Sequence, residues 1–312
     1  MAPFGKPVGG GSSKTLLPIA TLLSHRIGIA ERNIQALLKT AGNPRDKNMS
    51  DWLHNLPVAA MALMVFGVTY LVAILIYALV MALAVGERAR SFKAVSPGML
   101  PPLGIIFGLF VAFTAAQVWA DNERANAAVN REASSLRAVV VLAANLPEEP
   151  RQHLRDLIRR YIQEVTTQEW PMMARGTATL KATPGSLAEA LQLTLALPAT
   201  GQGQQIAQRE ITSALENALD ARRQRIIVSQ TEVNFVKWSC LFVQAVCALL
   251  AIATVHSDNR LAATIAMGVF ATGVAASVLL IAAHDRPFMG VISVGPAPLL
   301  QVMPEAEASR TG

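Results

Sequence analysis

The sequence has few charged residues, few aromatic residues and very few cysteines. Of its 312 residues, 15% are charged and 5% are aromatic, whereas 52% are hydrophobic. A soluble domain usually carries about 25% charged residues, so this deficit argues against a soluble protein and for one that lies in a lipid bilayer. The net charge of +6 would also suit nucleic acid. The long apolar runs described below favour the membrane instead, and we expect no nucleic-acid partner.

Motifs for catalysis and metal binding are also missing from the sequence. The two cysteines, Cys240 and Cys247, lie one heptad apart within a single apolar run, and the five histidines are isolated from one another. Two cysteines exclude a disulfide framework and a cysteine-based zinc site. No HExxH motif, nucleophile elbow or glycine-rich phosphate loop occurs. We therefore expect no enzymatic activity, no cofactor and no bound metal.

Four apolar stretches are long enough to cross a bilayer, whose hydrocarbon core of about 30 Å needs roughly 20 apolar residues in a helix. The stretches are Asn55–Gly86, Leu103–Ala120, Trp238–His256 and Leu261–Ala283. None of them contains Asp, Glu, Lys or Arg, which disfavours an ion-coupled transporter or a voltage sensor. The sequence therefore predicts an all-α membrane protein with four transmembrane helices.

The distribution of Arg and Lys around the spans predicts their orientation. One side of the membrane would hold both termini and the segment between the second and third spans, and this side carries most of the basic residues near the span ends. The other side has Arg88, Arg90, Lys93 and Arg260. We therefore place both termini and the long central segment in the cytoplasm, with the spans in a bacterial inner membrane.

These features divide the chain into five predicted regions. They are an N-terminal tail (1–54), the first two spans (55–120), a cytoplasmic helical domain (121–237), the last two spans (238–284) and a C-terminal tail (285–312). The N-terminal tail contains an amphipathic helical pattern. This pattern is typical either of a helix on the inner leaflet or of a helix packed on the central domain.

Four helices are predicted in the central domain. The first, 121–145, continues the second span and ends before Pro147. The second, 149–170, ends at Pro171 and has a predicted buried face of Leu154, Leu157, Ile158, Tyr161, Ile162 and Val165. The third, 186–197, begins with Ser186 and Glu189 in the spacing of a capping box. The fourth starts near Gln204 and meets no Gly or Pro before the third span, so we expect it to run into that span without a break. Its basic cluster Arg222, Arg223 and Arg225 suits binding of anionic lipid headgroups, attraction of anions toward a vestibule, or a solvated face.

The second span has two different faces when its residues are placed at 100° intervals. Small residues form one face and permit close helix packing; they are Gly104, Gly108, Ala112 and Ala116. The roughly opposite face changes from aromatic to polar to acidic, through Phe107, Phe110, Thr114, Gln117 and Asp121. This second face suits a pore wall with a hydrophobic constriction. It equally suits a Phe pair facing lipid or core, followed by a polar end that leaves the membrane.

Four short segments of the sequence resemble a known family. The segments are Asn130–Leu136 (NREASSL), Glu169–Trp170, Ala221–Arg225 (ARRQR) and Asp285–Gly290 (DRPFMG). On these segments the chain, from Pro57 to Pro298, resembles the bestrophin-like family of bacterial four-span membrane proteins of unknown function. The motif residues are Asn130, Glu132, Glu169, Trp170, Arg222, Arg223, Asp285, Arg286, Pro287 and Phe288. Pro287 also has a simple structural explanation, because proline stops a helix.

The resemblance implies a subunit similar to the bestrophins, which are pentameric ion channels whose second span lines a hydrophobic neck. On this basis Phe107 and Phe110 would form the neck and Thr114 and Gln117 the wall beside it. The implied partners are membrane lipids, further copies of the chain and a permeant inorganic ion. The basic residues on the predicted cytoplasmic side favour an anion as that ion. The acidic calcium-binding run of animal bestrophins is absent, so calcium gating is not implied. The alternative is a non-conducting scaffold or sensor whose cytoplasmic domain recruits a protein partner.

Overall fold

The computed structural model describes residues 57–84, 97–181, 184–198, 201–290 and 292–304. Within these ranges the regular elements are all helices, and none is a strand. The predicted N-terminal amphipathic helix lies outside the described residues. The all-α prediction is confirmed.

The helices in these ranges are numbered in chain order. They are α1 (Val58–Leu83), α2 (Leu100–Leu142), α3 (Glu148–Glu164), α4 (Trp170–Ala174), α5 (Gly185–Ala196), α6 (Gln202–Val228), α7 (Phe235–Val255), α8 (Arg260–His284) and α9 (Ala297–Leu300). Short 3-10 turns precede and follow α2 at Pro97–Met99 and Ala143–Asn145, and a π-helical turn, Val165–Glu169, joins α3 to α4. Four helices are long and apolar enough to cross a membrane: α1, the first half of α2, α7 and α8. The four predicted spans are confirmed.

Helix α2 belongs both to the membrane region and to the helical domain beyond it. Its 43 residues correspond to about 65 Å at 1.5 Å per residue, roughly twice the thickness of a hydrocarbon core. The first half packs against α7 and α8, and the second half packs along α6. The predicted continuation of the second span into the central domain is therefore confirmed.

The core of the helical domain is built from α2, α3, α5 and α6. The predicted apolar face of the second domain helix is buried there, as expected: Leu154, Leu157, Ile158, Tyr161 and Ile162 of α3, and Val165 of the π-helical turn. The segment after α8 returns to this core, where Leu299 of α9 is fully buried. Arg159 Nε of α3 donates a hydrogen bond of 3.1 Å to the Pro304 carbonyl. The end of the last span is thus connected back to the domain that interrupts the spans.

Two predicted helix boundaries in this domain are wrong. Pro171 does not end the second helix of the domain, because it lies in the first turn of α4, where a missing backbone N–H costs nothing. The capping box is also absent: Ser186 makes no cap at α5 and instead donates a hydrogen bond of 3.1 Å to Glu164 Oε2.

The prediction that the fourth helix of the domain runs unbroken into the third span is also wrong. Helix α6 ends at Val228, and α7 begins at Phe235 after a turn. The Asn234 side chain caps α7 by accepting a hydrogen bond of 3.1 Å from Val236 N. Asp285, at the end of α8, accepts a hydrogen bond of 2.6 Å from Val233 N in the same turn. Side-chain acceptors thus replace the helical bonds that an unbroken helix would make.

Candidate functional site

The aromatic and polar face of the second span packs inside the chain. Phe107 and Thr114 are buried, and the Phe107 ring lies 5.5 Å from the ring of Phe270 on α8. Phe110 is half-buried beside them and accepts, through its carbonyl, a hydrogen bond of 2.9 Å from Thr114 Oγ1. This face therefore holds α2 against the other spans.

The small-residue face of the second span is exposed on the single chain. Gly104, Gly108, Ala112 and Ala116 are all exposed, and a Cβ atom added at either glycine would meet nothing within 4 Å. Among the described residues, no other helix packs closely on this face, so its predicted close packing would have to come from contacts between copies of the chain. Three large apolar residues share the exposed side at intervals of four: Ile105, Leu109 and Phe113 are 69%, 55% and 68% exposed.

The polar end of the second span is tied to neighbouring groups. Lys237, at the start of α7, donates a hydrogen bond to Gln117 Oε1. Asp121 is buried, and its Oδ1 pairs with Arg124 NH1 at 2.8 Å. Both contacts lie where α2 leaves the apolar layer; the Lys237 bond joins α2 to α7, and the Asp121 pair lies within α2 itself.

A cluster of buried charges lies where α2, α3 and α6 meet. We call Glu132, Tyr161, Glu169, Arg222 and Arg225 the charge cluster. Arg225 Nε donates to Glu132 Oε2 at 2.6 Å, and its NH2 donates to Glu169 Oε2 at 3.0 Å. Arg222 Nε donates to Glu169 Oε1 at 2.8 Å, and Tyr161 Oη donates to Glu132 Oε1 at 2.5 Å. Two guanidinium groups and two carboxylates balance each other, and both Arg225 and Glu132 are fully buried.

The surroundings of the charge cluster shift the proton affinity of its members. Burial raises the pKa of Tyr161 well above its usual value of 10.0, and the negative charge of Glu132 raises it further. Burial opposes the charge of Arg225, but the adjacent Glu132 carboxylate outweighs it and raises the pKa of this guanidinium. The Arg225 guanidinium also lies 5.1 Å from the ring centre of Trp170, within cation–π range. The cluster is thus an internally paired group.

Sequence reasoning had drawn attention to some of these residues but not to their pairing. The resemblance singled out Glu132, Glu169 and Arg222 as motif residues, and Arg225 belonged to the predicted basic cluster, whereas Tyr161 was not assigned to any site. The interpretation of Arg222 and Arg225 as lipid-facing or solvated is wrong, because both are buried in ion pairs. Their spacing of three residues, which puts both on one helical face, was the available signal. Arg223 lies on the exposed side of α6, as does Asn130 on α2.

The Asp285–Phe288 segment connects the end of α8 to the helical domain. Besides the Asp285 bond to the α6–α7 turn, Arg286 NH2 pairs with Glu232 Oε2 at 2.9 Å. Phe288 packs edge-on against Trp170, with ring centres 5.7 Å apart. Pro287 follows the last turn of α8, as expected of a residue that ends a helix. Its carbonyl accepts a hydrogen bond of 2.7 Å from Val294 N.

Groups of metal-binding side chains are not found in the part of the chain that the structure describes. No three His, Cys, Asp or Glu residues there lie close enough together to hold a metal ion. The carboxylates of the charge cluster are engaged by guanidinium groups instead.

Comparison with known proteins connects this arrangement to a family. A family model described as the bestrophin-like domain matches residues 67–299. The chain belongs to the bestrophin-like family. All four motif segments lie inside the matched residues, so the charge cluster and the Asp285–Phe288 segment are part of the bestrophin-like domain. This bestrophin-like chain is a membrane protein with four candidate spans.

Two solved structures share the fold of this bestrophin-like chain. One is a bacterial bestrophin homologue from Klebsiella pneumoniae carrying a single substitution, with a TM-score of 0.61, 13% identity, and 78% of this chain and 97% of that one covered. The other is described as a membrane protein, also with a single substitution, with a TM-score of 0.55, 13% identity, and 77% and 95% covered. No curated protein matches the chain.

Proposed function

We propose that this protein is the subunit of a homo-oligomeric ion channel in the bacterial inner membrane, with both termini in the cytoplasm. The observation that carries the proposal is the two-sided packing of α2. One side is held by α7 and α8, while the other leaves Ile105, Leu109 and Phe113 exposed at consecutive helical turns. Four spans are too few to enclose a conduit, so a pore requires a ring of copies.

The exposed side of α2 suits both roles that such a ring requires. Its small residues Gly104, Gly108, Ala112 and Ala116 allow a neighbouring helix to approach closely. Its large residues Ile105, Leu109 and Phe113 suit a hydrophobic constriction around a central axis. The family resemblance favours five copies.

The residues that we propose for the pore wall differ from those favoured by the sequence, because most of the latter are buried within the single chain. Phe107, Thr114 and Asp121 are covered by their own chain, whereas a lumen needs residues that the single chain leaves free. Phe110 and Gln117 are half-buried and would border the lumen only at its edge. We therefore propose the stripe Ile105, Leu109 and Phe113 as the neck. Anions are the proposed permeant ions, supported by the net charge of +6 and the resemblance.

Single-channel recording in planar bilayers tests this proposal. The double substitution Leu109→Ala/Phe113→Ala removes bulk from the proposed constriction. We therefore expect a conductance several times higher than that of the natural protein. Phe107→Ala is the matched control, since it removes the same ring from the packed face of the same helix. It should lower thermal stability without widening the pore.

Two results would contradict the channel proposal. Unchanged conductance in a correctly assembled Leu109→Ala/Phe113→Ala variant removes that stripe from the pore. An assembled natural protein that carries no ion flux favours the scaffold or sensor instead. The reversal potential in a chloride gradient tests the anion preference separately.

A further inference from the structure

A cavity of about 290 Å³ lies beside the charge cluster, outside the membrane spans. It is bounded by the end of α3, the π-helical turn, α4 and the segment after it, and the last turns of α6. One part of its wall is apolar, formed by Val165, Met172, Ala178, Pro184 and Ile226, and the other part carries the polar groups of Tyr161, Glu164, Gln168, Glu169, Thr179 and Arg222. Its volume is close to the lower end of the roughly 300–1,000 Å³ typical of ligand sites, so it suits a small organic molecule.

Charged side chains on the cavity wall differ in how they are neutralised. Glu169 accepts hydrogen bonds from both Arg222 and Arg225, so its charge is balanced. Glu164 also lines the cavity, and in the described part of the chain its one hydrogen-bond partner is the neutral Ser186 hydroxyl, at 3.1 Å. Ser186 is itself 3% exposed. The wall therefore contains one oriented carboxylate that forms no ion pair with any cation in the described ranges.

The π-helical turn contributes to this wall in a way that an ordinary helix would not. Val165, Gln168 and Glu169 all belong to the turn and all line the cavity. A π-turn accommodates one extra residue, which changes the direction of the side chains that follow it. The turn thus brings Gln168 and Glu169 to the same wall as Glu164.

We propose that this cavity binds a small organic ammonium compound, with its cationic nitrogen at Glu164 and its apolar part against Val165, Met172 and Ile226. An ammonium group donates charge-assisted hydrogen bonds to a carboxylate, and the apolar wall favours a hydrocarbon body. A bare metal ion does not suit the site, since such ions require several oxygen ligands. An anion is disfavoured by Glu164, and the Arg222 guanidinium is already engaged by Glu169.

Three probes with the same carbon skeleton test the proposal directly. They are 3-methylbutylamine, which is cationic at pH 7, the neutral 3-methylbutanol and the anionic 3-methylbutanoate. Binding to the full-length protein in nanodiscs is measured by saturation-transfer NMR titration, which does not depend on ion conduction. We expect the amine to bind at least tenfold more tightly than either analogue. The proposed channel function and this site therefore succeed or fail independently.

A matched pair of variants places the binding at the cavity. Glu164→Gln keeps the shape of the side chain but removes its charge, and we expect it to weaken amine binding about tenfold, because a charge-assisted hydrogen bond is lost. Glu148→Gln removes a carboxylate that is exposed at the start of the same helix and should leave binding unchanged. The thermal unfolding midpoint of each variant shows that it is folded.

The proposal is overturned if the alcohol or the carboxylate binds as tightly as the amine, or if none of the three binds. It is equally overturned if folded Glu164→Gln protein retains the affinity of the natural protein for the amine. The comparison of the three probes on the natural protein needs no variant, so it remains decisive even if Glu164→Gln fails to fold.

Discussion

At the residue scale, the protein buries a complete guanidinium group and gives it a complete set of partners. Arg225 is 0% exposed, lies between Glu132 and Glu169, and stacks near Trp170. Removing charges from water is costly, and that cost is offset only when the geometry and hydrogen bonding are good. The consequence is an asymmetry: removing one member of the Arg225–Glu132 pair should destabilise the folded protein more than removing the charge of both.

Replacing Arg225 alone should therefore destabilise the protein severely. Arg225→Met leaves Glu132 charged and fully buried without its counter-ion, and we expect a loss of about 3–5 kcal/mol in the free energy of unfolding. Thermal unfolding in nanodiscs measures the effect. Arg223→Met is the control, because Arg223 is exposed on the same helix, and it should change stability by no more than about 0.5 kcal/mol.

The double variant separates pairing from packing. Combining Arg225→Met with Glu132→Gln removes both charges, so the double variant should be more stable than Arg225→Met alone. If instead the two losses simply add, the pair contributes nothing beyond the packing of its two side chains.

Ionisation of Tyr161 should make the stability of the protein depend on pH in the alkaline range. Burial and the charge of Glu132 raise the pKa of its phenol in the folded protein above 10.0, the usual value that applies to the unfolded chain. A raised folded pKa contributes stability that is fully present below the unfolded pKa and is lost as pH rises through the folded pKa. The unfolding midpoint of the natural protein should therefore fall relative to that of Tyr161→Phe between pH 9.5 and pH 11, as roughly expected for a phenol titrating near 10. A constant difference across that interval would show that Tyr161 ionises equally in both states.

At the scale of elements, the turn between α6 and α7 depends on a residue from the far end of the chain. Asp285 accepts a hydrogen bond from Val233 N, 52 positions away. Asp285→Ala leaves that buried N–H without this acceptor, so we expect a loss of about 1–3 kcal/mol, measured by thermal unfolding. Glu232→Ala is the control from the same turn. Its pair with Arg286 is half-exposed and contributes no more than about 1 kcal/mol. Equal losses from the two variants would contradict the importance of the Asp285 bond.

The same turn shows where prediction from sequence succeeded and where it failed. Local patterns were enough for the four spans, the continuation of α2 and the buried face of α3, since these depend on runs of apolar residues and on helical periodicity. The break before α7 was missed because its acceptor, Asp285, comes from a distant helix. The charge cluster was missed for a similar reason: the partners of Arg225 on α2 and on the π-turn are 93 and 56 residues away. Pattern alone cannot tell a solvated arginine from one that tertiary contacts neutralise.

At the scale of the whole molecule, α2 is the element that joins the membrane spans to the helical domain, because it contacts α6, α7, α8 and α9. Its membrane half packs on α7 and α8, and its second half packs on α6 and carries Glu132 into the charge cluster. Displacement of α2 within the membrane would therefore also strain the buried ion pairs of the helical domain. The charge cluster thus fixes the position of the helix that we propose lines the pore.

The number of subunits decides whether the exposed face of α2 has a partner. If it faces neighbouring copies, native mass spectrometry of the purified protein should show a closed ring of four or more, with five favoured by the resemblance. Gly108→Leu should then reduce the subunit number, because a large side chain blocks close helix approach at that face.

Gly67 of α1 provides the control for that experiment. Both glycines are exposed, and a Cβ atom at either meets nothing within 4 Å in the single chain, so both substitutions fit the isolated subunit equally well. A difference between Gly108→Leu and Gly67→Leu therefore reports on contacts between copies and not on folding. A natural protein that is a monomer or dimer, or a Gly108→Leu variant that keeps the full ring, would remove the small-residue face of α2 from the interface. In the first case the pore proposal would fail as well, because two copies of α2 cannot surround an axis.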